Sequence, residues 1–395
     1  MLALLLSACS WPQYRGDARH SGVNPFAPGI DATTITSLRT AWTSSPNGAN
    51  DEVAIRDGRA FVKGTGAVRA LDLASGAELW HVDSQNRHQS NQLEPPTTLS
   101  LPGGPVVAMS EFGIDFVVGQ PLFGASDGLV RLLNPATGEL LETWTDGDVS
   151  PPIDASAWIA APVSRDLRGI HAEVHRHGLV VRAPDGVNAF STELPEGPTD
   201  VVGNDTTTFA ASGTATYAIP AHGCGSTACG ADWSTNIGNK LALGDGTLFG
   251  ISYSGVLAAV PAAGCGAPYC TPTWFTAPLG GFSGIAVTGT RVYVTHGATL
   301  SVFDAAGCGT AICTSIWASI ASGTLSAPSV VNDLVLAGDS AGNLVAWSNA
   351  GCGVANCTPI ASLPQGGFVG PVSPVDHALA FTVDGMLRKL TVPSA

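Results

Sequence analysis

The sequence predicts an all-β protein, a ring of repeated four-stranded antiparallel units of the β-propeller type. Three observations carry that expectation. First, a small cysteine loop recurs: the first cysteines fall at 224, 265, 308 and 352, in steps of 41, 43 and 44. Those steps match a four-stranded blade and are long for a leucine-rich or ankyrin unit. Second, the 395 residues include 48 glycines and 27 prolines, many beside short apolar runs, which reads as short strands joined by turns. Third, no long stretch carries a sustained helical stripe.

Each unit has the same internal order. "FSGIAVTGTRVYVTHGATLSVFDAAGCGTAICTSIWAS" at 282–319 contains an apolar run, a Gly turn, "RVYV", a second Gly turn, "LSVFDA", the cysteine loop and "SIWAS". Four strands and three hairpins fit this order. In "RVYV", Val292 and Val294 share one face and Tyr293 takes the other. The first half repeats the unit without cysteines, as "DGRAFVKGTGAVRALDLASGAELW" at 57–80 and "PLFGASDGLVRLLNPATGELLETW" at 121–144. Their Ala-Ser-Gly and Ala-Thr-Gly turns stand where the cysteine loops stand later, between the third and outermost strands.

Units are expected near 52–80, 93–144, 150–194, 198–235, 238–277, 281–320, 324–362 and 367–392. The last lacks an outer strand. "SLRTAWTSS" at 37–45 is a strand without a unit, and is expected to complete the last one and close the ring, shielding sheet edges. Eight blades are expected. Seven is the alternative, because spacing in the first half is irregular.

"WPQYRGDARHSG" at 11–22, followed by repeats of the "DGRAFV…GAVRALDLASGAELW" type, resembles the PQQ-binding-like β-propeller repeat family. That family includes quinoprotein dehydrogenases and the outer-membrane assembly-factor lipoprotein BamB. The resemblance is strong at 52–80, 119–144 and 238–348, and weak at 150–200. It implies one PQQ-like propeller domain over 37–395, preceded by a signal-like segment at 1–9 and a tether and extension at 10–36. In the family's dehydrogenases a quinone stacks in the central channel, often on a vicinal Cys–Cys disulfide, with Ca²⁺ held by Glu, Asn and Asp. This chain has no adjacent cysteines and no large inserts to roof an active site. The expectation is therefore a non-catalytic exported binding module or scaffold. The alternative is a PQQ-dependent oxidoreductase with calcium and a divergent site.

Nine cysteines divide into four close pairs and Cys9. The pairs lie in "AHGCGSTAC", "AAGCGAPYC", "AAGCGTAIC" and "NAGCGVANC". Tetrahedral zinc needs four ligands and each loop offers two. Adjacent outer turns are too far apart to share an ion. Four intervening residues also depart from the two of a thioredoxin-type motif. Disulfides Cys224–Cys229, Cys265–Cys270, Cys308–Cys313 and Cys352–Cys357 are expected, each closing its own hairpin loop.

The N-terminus "MLALLLSACS" resembles a bacterial lipobox at Leu6-Ser7-Ala8-Cys9. That resemblance implies acylation of Cys9 and anchoring in the cell envelope, with the following residues as a tether. The apolar run is too short to span a bilayer and lacks a basic n-region, so the true start is expected upstream. The alternative is a chance apolar terminus with a buried thiol. Export would place the cysteine pairs in an oxidising compartment.

"HAEVHRH" alternates His171, Glu173, His175 and His177. One face of a strand could then bind zinc or copper. Arg168, Arg176 and Arg182 disfavour a cation there, so a solvated outer strand without metal is expected. Asp127 and Asp339 read as hairpin residues, and Trp80, Trp144, Trp274 and Trp317 as blade-to-blade packing. No nucleophile elbow, phosphate loop, zincin or dinucleotide motif occurs. The net charge of −14 repels phosphate backbones and argues against nucleic acid. The expected partner is a protein or a cell-envelope ligand.

Overall fold

The computed structural model describes residues 10–393 apart from 13–14, 26, 50–51, 85–91, 94–95, 102, 113–114, 118–119, 123–128, 146–159, 166–169, 176–177, 183–187, 196–197, 205, 213 and 222. Among the described residues there is no α-helix, and a single 3₁₀ turn, Ile35–Ser37, precedes the first long strand. Among the described residues, eight antiparallel sheets follow one another, each with four strands at its core, and a separate two-stranded hairpin pairs Asp115–Val117 with Gln120–Leu122. In chain order, sheets 1 to 7 occupy 54–83, 97–145, 160–193, 198–235, 240–276, 282–320 and 329–364. Sheet 8 takes three strands from 369–391 and its fourth from Arg39–Ala49. That pairing sets Arg39 opposite Thr391 and Thr40 opposite Leu390. No described helix is long and apolar enough to cross a membrane.

The core lies between neighbouring sheets, so middle strands are buried on both faces. Val292 and Val294 join a cluster with Phe249 and Trp274 of sheet 5. Tyr293, one residue away, joins Val335 and Trp347 of sheet 7. Period-two alternation thus directs side chains into two seams instead of into core and solvent. The innermost strands adjoin in chain order. Ser329 Oγ donates to Val372 O at 2.6 Å between sheets 7 and 8, and Ser373 Oγ to Val53 O at 2.9 Å between sheets 8 and 1.

Tryptophans of the outer strands close the seams. Trp80 lies against Gly138 of the next sheet, Trp274 against Gly307 and Trp317 against Gly351. The same contact joins Trp42 to Gly76 and Trp233 to Gly264, two tryptophans the repeat reading had not singled out. At the seam of sheets 3 and 4, Phe190 takes the tryptophan's place against Gly223. The side chain of Trp144 lies outside the described residues. These glycines adopt φ between +73° and +87°, a turn conformation that leaves no Cβ above the aromatic ring.

The four cysteine pairs are disulfides with Cα separations of 5.6–5.7 Å. Each sits between the third and fourth strands of its sheet. Three of the loops also reach back to the preceding sheet. Cys270 N donates to Ser234 O at 2.8 Å, and Cys357 N to Ala318 O at 2.8 Å. Ile312–Cys313 adds in parallel to Phe275 and Thr276. Each of these three loops is therefore a latch across a seam. Among the described residues, no such loop crosses the seam of sheets 7 and 8. Residues 27–38 fill the place: Ala27, Ile30, Ile35 and Leu38 pack with Ala361 and Phe381.

Because plain three-residue turns occupy the same place in sheets 1 and 2, the fold is expected to form without any one disulfide. The double variant Cys308→Ser, Cys313→Ser is expected to stay folded and to lose about 1–2 kcal/mol, since the closed loop is short. Thermal unfolding of the variant against the wild type checks this. Collapse of the whole fold would contradict it.

"HAEVHRH" requires one correction. Ile170–His175 is the second of four strands, hydrogen-bonded on both edges, and not an outer strand. Its polar alternation resembles a solvent edge, but position in the sheet follows hairpin succession from Ala160, not polarity. The side chains of His171, Glu173 and His175, and the whole of His177, lie outside the described residues.

Candidate functional site

The polar groups that converge inside the molecule come from the N-terminal segment and the innermost strands. Residues 10–36 are expected from the sequence to form a tether and extension. Among the described residues, 10–12 and 15–24 run as a strap across the ends of those strands. Trp11 and Ile55 exchange backbone hydrogen bonds at 2.8 and 2.7 Å. Thr98 N donates to Pro12 O at 2.8 Å, Gly203 N to Ala18 O at 2.9 Å and Leu243 N to Arg19 O at 2.8 Å. Val287 N donates to Ser21 O at 2.8 Å and Val330 N to Gly22 O at 2.7 Å. Val23–Asn24 then pairs in parallel with sheet 7, and Asn24 Nδ2 donates to Pro374 O of sheet 8 at 2.9 Å. The strap thereby engages sheets 1, 2 and 4 to 8.

Arg15 is the centre of this arrangement and is 2% exposed. Its guanidinium Nη2 donates to Ile285 O at 2.8 Å and to Pro328 O, on sheet 6 and just before sheet 7. Its backbone N donates to Glu52 Oε2 at 3.0 Å, while Trp11 Nε1 donates to Glu52 Oε1 at 2.9 Å. A second buried pair sets His20 Nδ1 at 3.2 Å from Asp200 Oδ1. Asp200 Oδ2 also accepts Leu241 N at 2.8 Å. Arg15 and His20 both adopt left-handed φ, 57° and 51°, which is uncommon for residues with a side chain. Several simultaneous hydrogen bonds are what hold such a conformation.

The two buried carboxylates respond to their surroundings in opposite directions. Burial pushes Glu52 above the usual carboxylate range, against the pull of Arg15. Burial also opposes ionisation of Asp200, but His20, Lys240 and the Leu241 N–H overcome it and hold that carboxyl low. Asp200 therefore stabilises the fold above its unfolded pKa, and that stabilisation is lost as pH falls through the lower folded value. Glu52 has the reverse sign: its contribution is largest when protonated and declines as pH rises past its unfolded value. Asp200→Asn is expected to lower stability near pH 6 and to flatten the loss on acidification between about pH 5 and 3. Denaturant midpoints across that range check it. An unchanged acid limb would show that Asp200 does not carry the dependence.

Beside the strap lies an open groove of about 530 Å³. Asp17, Arg19 and Ser21 form one wall, and the turns at Asp245, Thr288 and Asn332 form the other. Arg19 and Asp245 face each other at 3.6 Å, with side chains 48% and 78% exposed. The groove can offer donors and acceptors of both charges to a polar ligand. Among the described residues, no three His, Cys, Asp or Glu side chains come together to hold a metal.

No family model matches the chain, and no curated protein matches it. Solved structures do. A quinohemoprotein alcohol dehydrogenase from Comamonas testosteroni superposes with a TM-score of 0.69 at 12% identity, over 98% of this chain and 82% of that one. BamB from Moraxella catarrhalis gives 0.59 at 11%, over 90% and 99%. The computationally designed protein Ika8 gives 0.63 at 11%, over 89% and 100%. The chain has the fold of a β-propeller, of the kind found in BamB and in quinoprotein dehydrogenases. At such identities the likeness carries fold alone.

Neither the strap nor its buried pairs were read from the sequence. Arg15 meets its partners 37, 270 and 313 residues away, and no local pattern signals such contacts. The glycines at 16 and 22 were a usable hint. A Cβ on Gly16 would lie 3.1 Å from the Trp11 ring, and one on Gly22 would collide with the Arg15 guanidinium.

Proposed function

We propose that the eight sheets are the blades of one closed ring and that the protein is a non-catalytic, exported binding module. One observation carries this reading: the polar groups at the centre are committed to the chain itself. Glu52 and Asp200, the buried carboxylates there, already accept N–H groups from Trp11, Arg15 and Leu241. Carboxylates engaged in this way serve the fold, which supports the binding module over the quinone-dependent alternative. The partner is a protein or a cell-envelope ligand, received on the open groove and the outer rim. Four disulfides suit an oxidising compartment outside the cytoplasm. Net charge of −14 keeps nucleic acid out of the reading.

The deciding experiment titrates purified protein with the quinone and Ca²⁺, following absorption and alcohol-dependent dye reduction. No saturable spectral change and no turnover are expected. Saturable binding with turnover would replace this reading with the oxidoreductase. A pull-down from envelope extract identifies the partner.

The proposal includes a lipid on Cys9, a residue outside the described set. An anchor two residues before Trp11, which is bonded to Ile55, would keep the strap close to the membrane. Several acyl chains would anchor it stably, where one is marginal. Mass spectrometry of native protein should find a lipid-mass increment on a peptide beginning at Cys9. An unmodified peptide running upstream of Cys9 would defeat the anchor without touching the binding role.

A further inference from the structure

We propose that Cys224, Cys265, Cys308 and Cys352 are sites of thiol exchange, where each loop takes up a small thiol at its exposed first cysteine and releases its buried second one.

The two sulfurs of each bridge stand in different surroundings. Cys229, Cys270, Cys313 and Cys357 are 5%, 0%, 4% and 8% exposed, whereas their four partners are all exposed. The approach to each partner is open. A Cβ on Gly225, Gly266, Gly309 or Gly353, the residue after each first cysteine, would meet nothing within 4 Å. Exchange requires a thiolate to reach one sulfur in line with the other, so access selects the first cysteine. In two of the loops the buried sulfur also accepts an N–H. Cys224 N donates to Cys229 Sγ at 2.9 Å, and Cys308 N to Cys313 Sγ at 3.0 Å. An N–H aimed at sulfur favours the charge that develops there as the bond breaks.

The step balances with a single co-reactant, a monothiol RSH. Its thiolate attacks Cys308 Sγ, and the Cys308–Cys313 bond breaks. A new S–S bond joins R to Cys308, and the electron pair leaves on Cys313, which takes a proton from solvent. Nothing is oxidised or reduced overall. A second RSH attacking the mixed disulfide would give RSSR and two protein thiols. The exchange bears on the latches, because the released residues Cys270, Cys313 and Cys357 are those bonded to the preceding sheet.

The test incubates folded wild-type protein with glutathione, quenches with acid, alkylates free thiols and maps both marks by mass spectrometry. Glutathione is expected on Cys224, Cys265, Cys308 and Cys352, with alkylation on their partners. Glutathione on the second cysteines, equal distribution, or adducts formed only after unfolding would overturn the proposal. Single variants give an independent reading. With 4,4′-dithiodipyridine, the free Cys308 of Cys313→Ser is expected to react at least roughly tenfold faster than the free Cys313 of Cys308→Ser. Equal rates in the folded variants would also overturn it.

Discussion

Replacing Arg15 by alanine is expected to cost roughly 3–5 kcal/mol, the range for removing one member of a buried charged pair. The reason is what the substitution leaves behind. Glu52 would remain buried, with its nearest cation gone. The carbonyls of Ile285 and Pro328 would lose their donor. Alanine can replace neither, and its left-handed φ keeps some strain. Arg15→Lys should fall in between, because an ammonium keeps the charge without the planar fork. Glu52→Gln should be milder than either, since an amide oxygen can still accept Trp11 Nε1. Denaturant unfolding measures the order, and limited proteolysis should find cleavage within residues 10–24 of Arg15→Ala only. A loss below about 1 kcal/mol would show that the strap is not held by this network.

The second large effect is expected at a glycine. In Gly307→Ala the new Cβ would stand 2.6 Å from Trp274 Cδ1, on a backbone with φ of +87°. Gly309 in the same loop has φ of +79° but open space around it. Gly309→Ala therefore reports the backbone cost alone, about 1 kcal/mol. Gly307→Ala adds displacement of a buried indole, for a total of roughly 2–4 kcal/mol. Equal losses in the two variants would mean that the tryptophan seat is soft and that the seam does not depend on it.

What could be read beforehand follows from how local each feature is. Hairpins, cysteine loops and two-residue alternation are written within one unit of about 40 residues, so the expected unit limits lie within about five residues of the sheets, except at the start of the third, expected near 150 where the first strand begins at Ala160. The disulfides were legible because both partners of each lie five positions apart. The strand at Arg39–Ala49 stood out as one without a neighbour in sequence. The strap did not, since a polar run such as "YRGDARHSG" reads as solvated until distant acceptors are known. The latches were half legible. The loop closure is local, but the parallel bonds of Ile312–Cys313 to Phe275 and Thr276 join separate units.

Chain order and assembly order therefore differ in this protein. The strap and the strand Arg39–Ala49 leave the ribosome before their partners, which include Val330, Pro374 and Thr391. They can dock only after those later segments are made. The latches likewise point backwards: each seam between sheets 4 and 7 waits for the loop of the later sheet. Contacts of such separation make folding slow, and the earliest segments remain unsheltered while the rest collapses. Completion of the fold thus waits on the later sheets, and the strap finds its place only after segments that follow it by more than 300 residues.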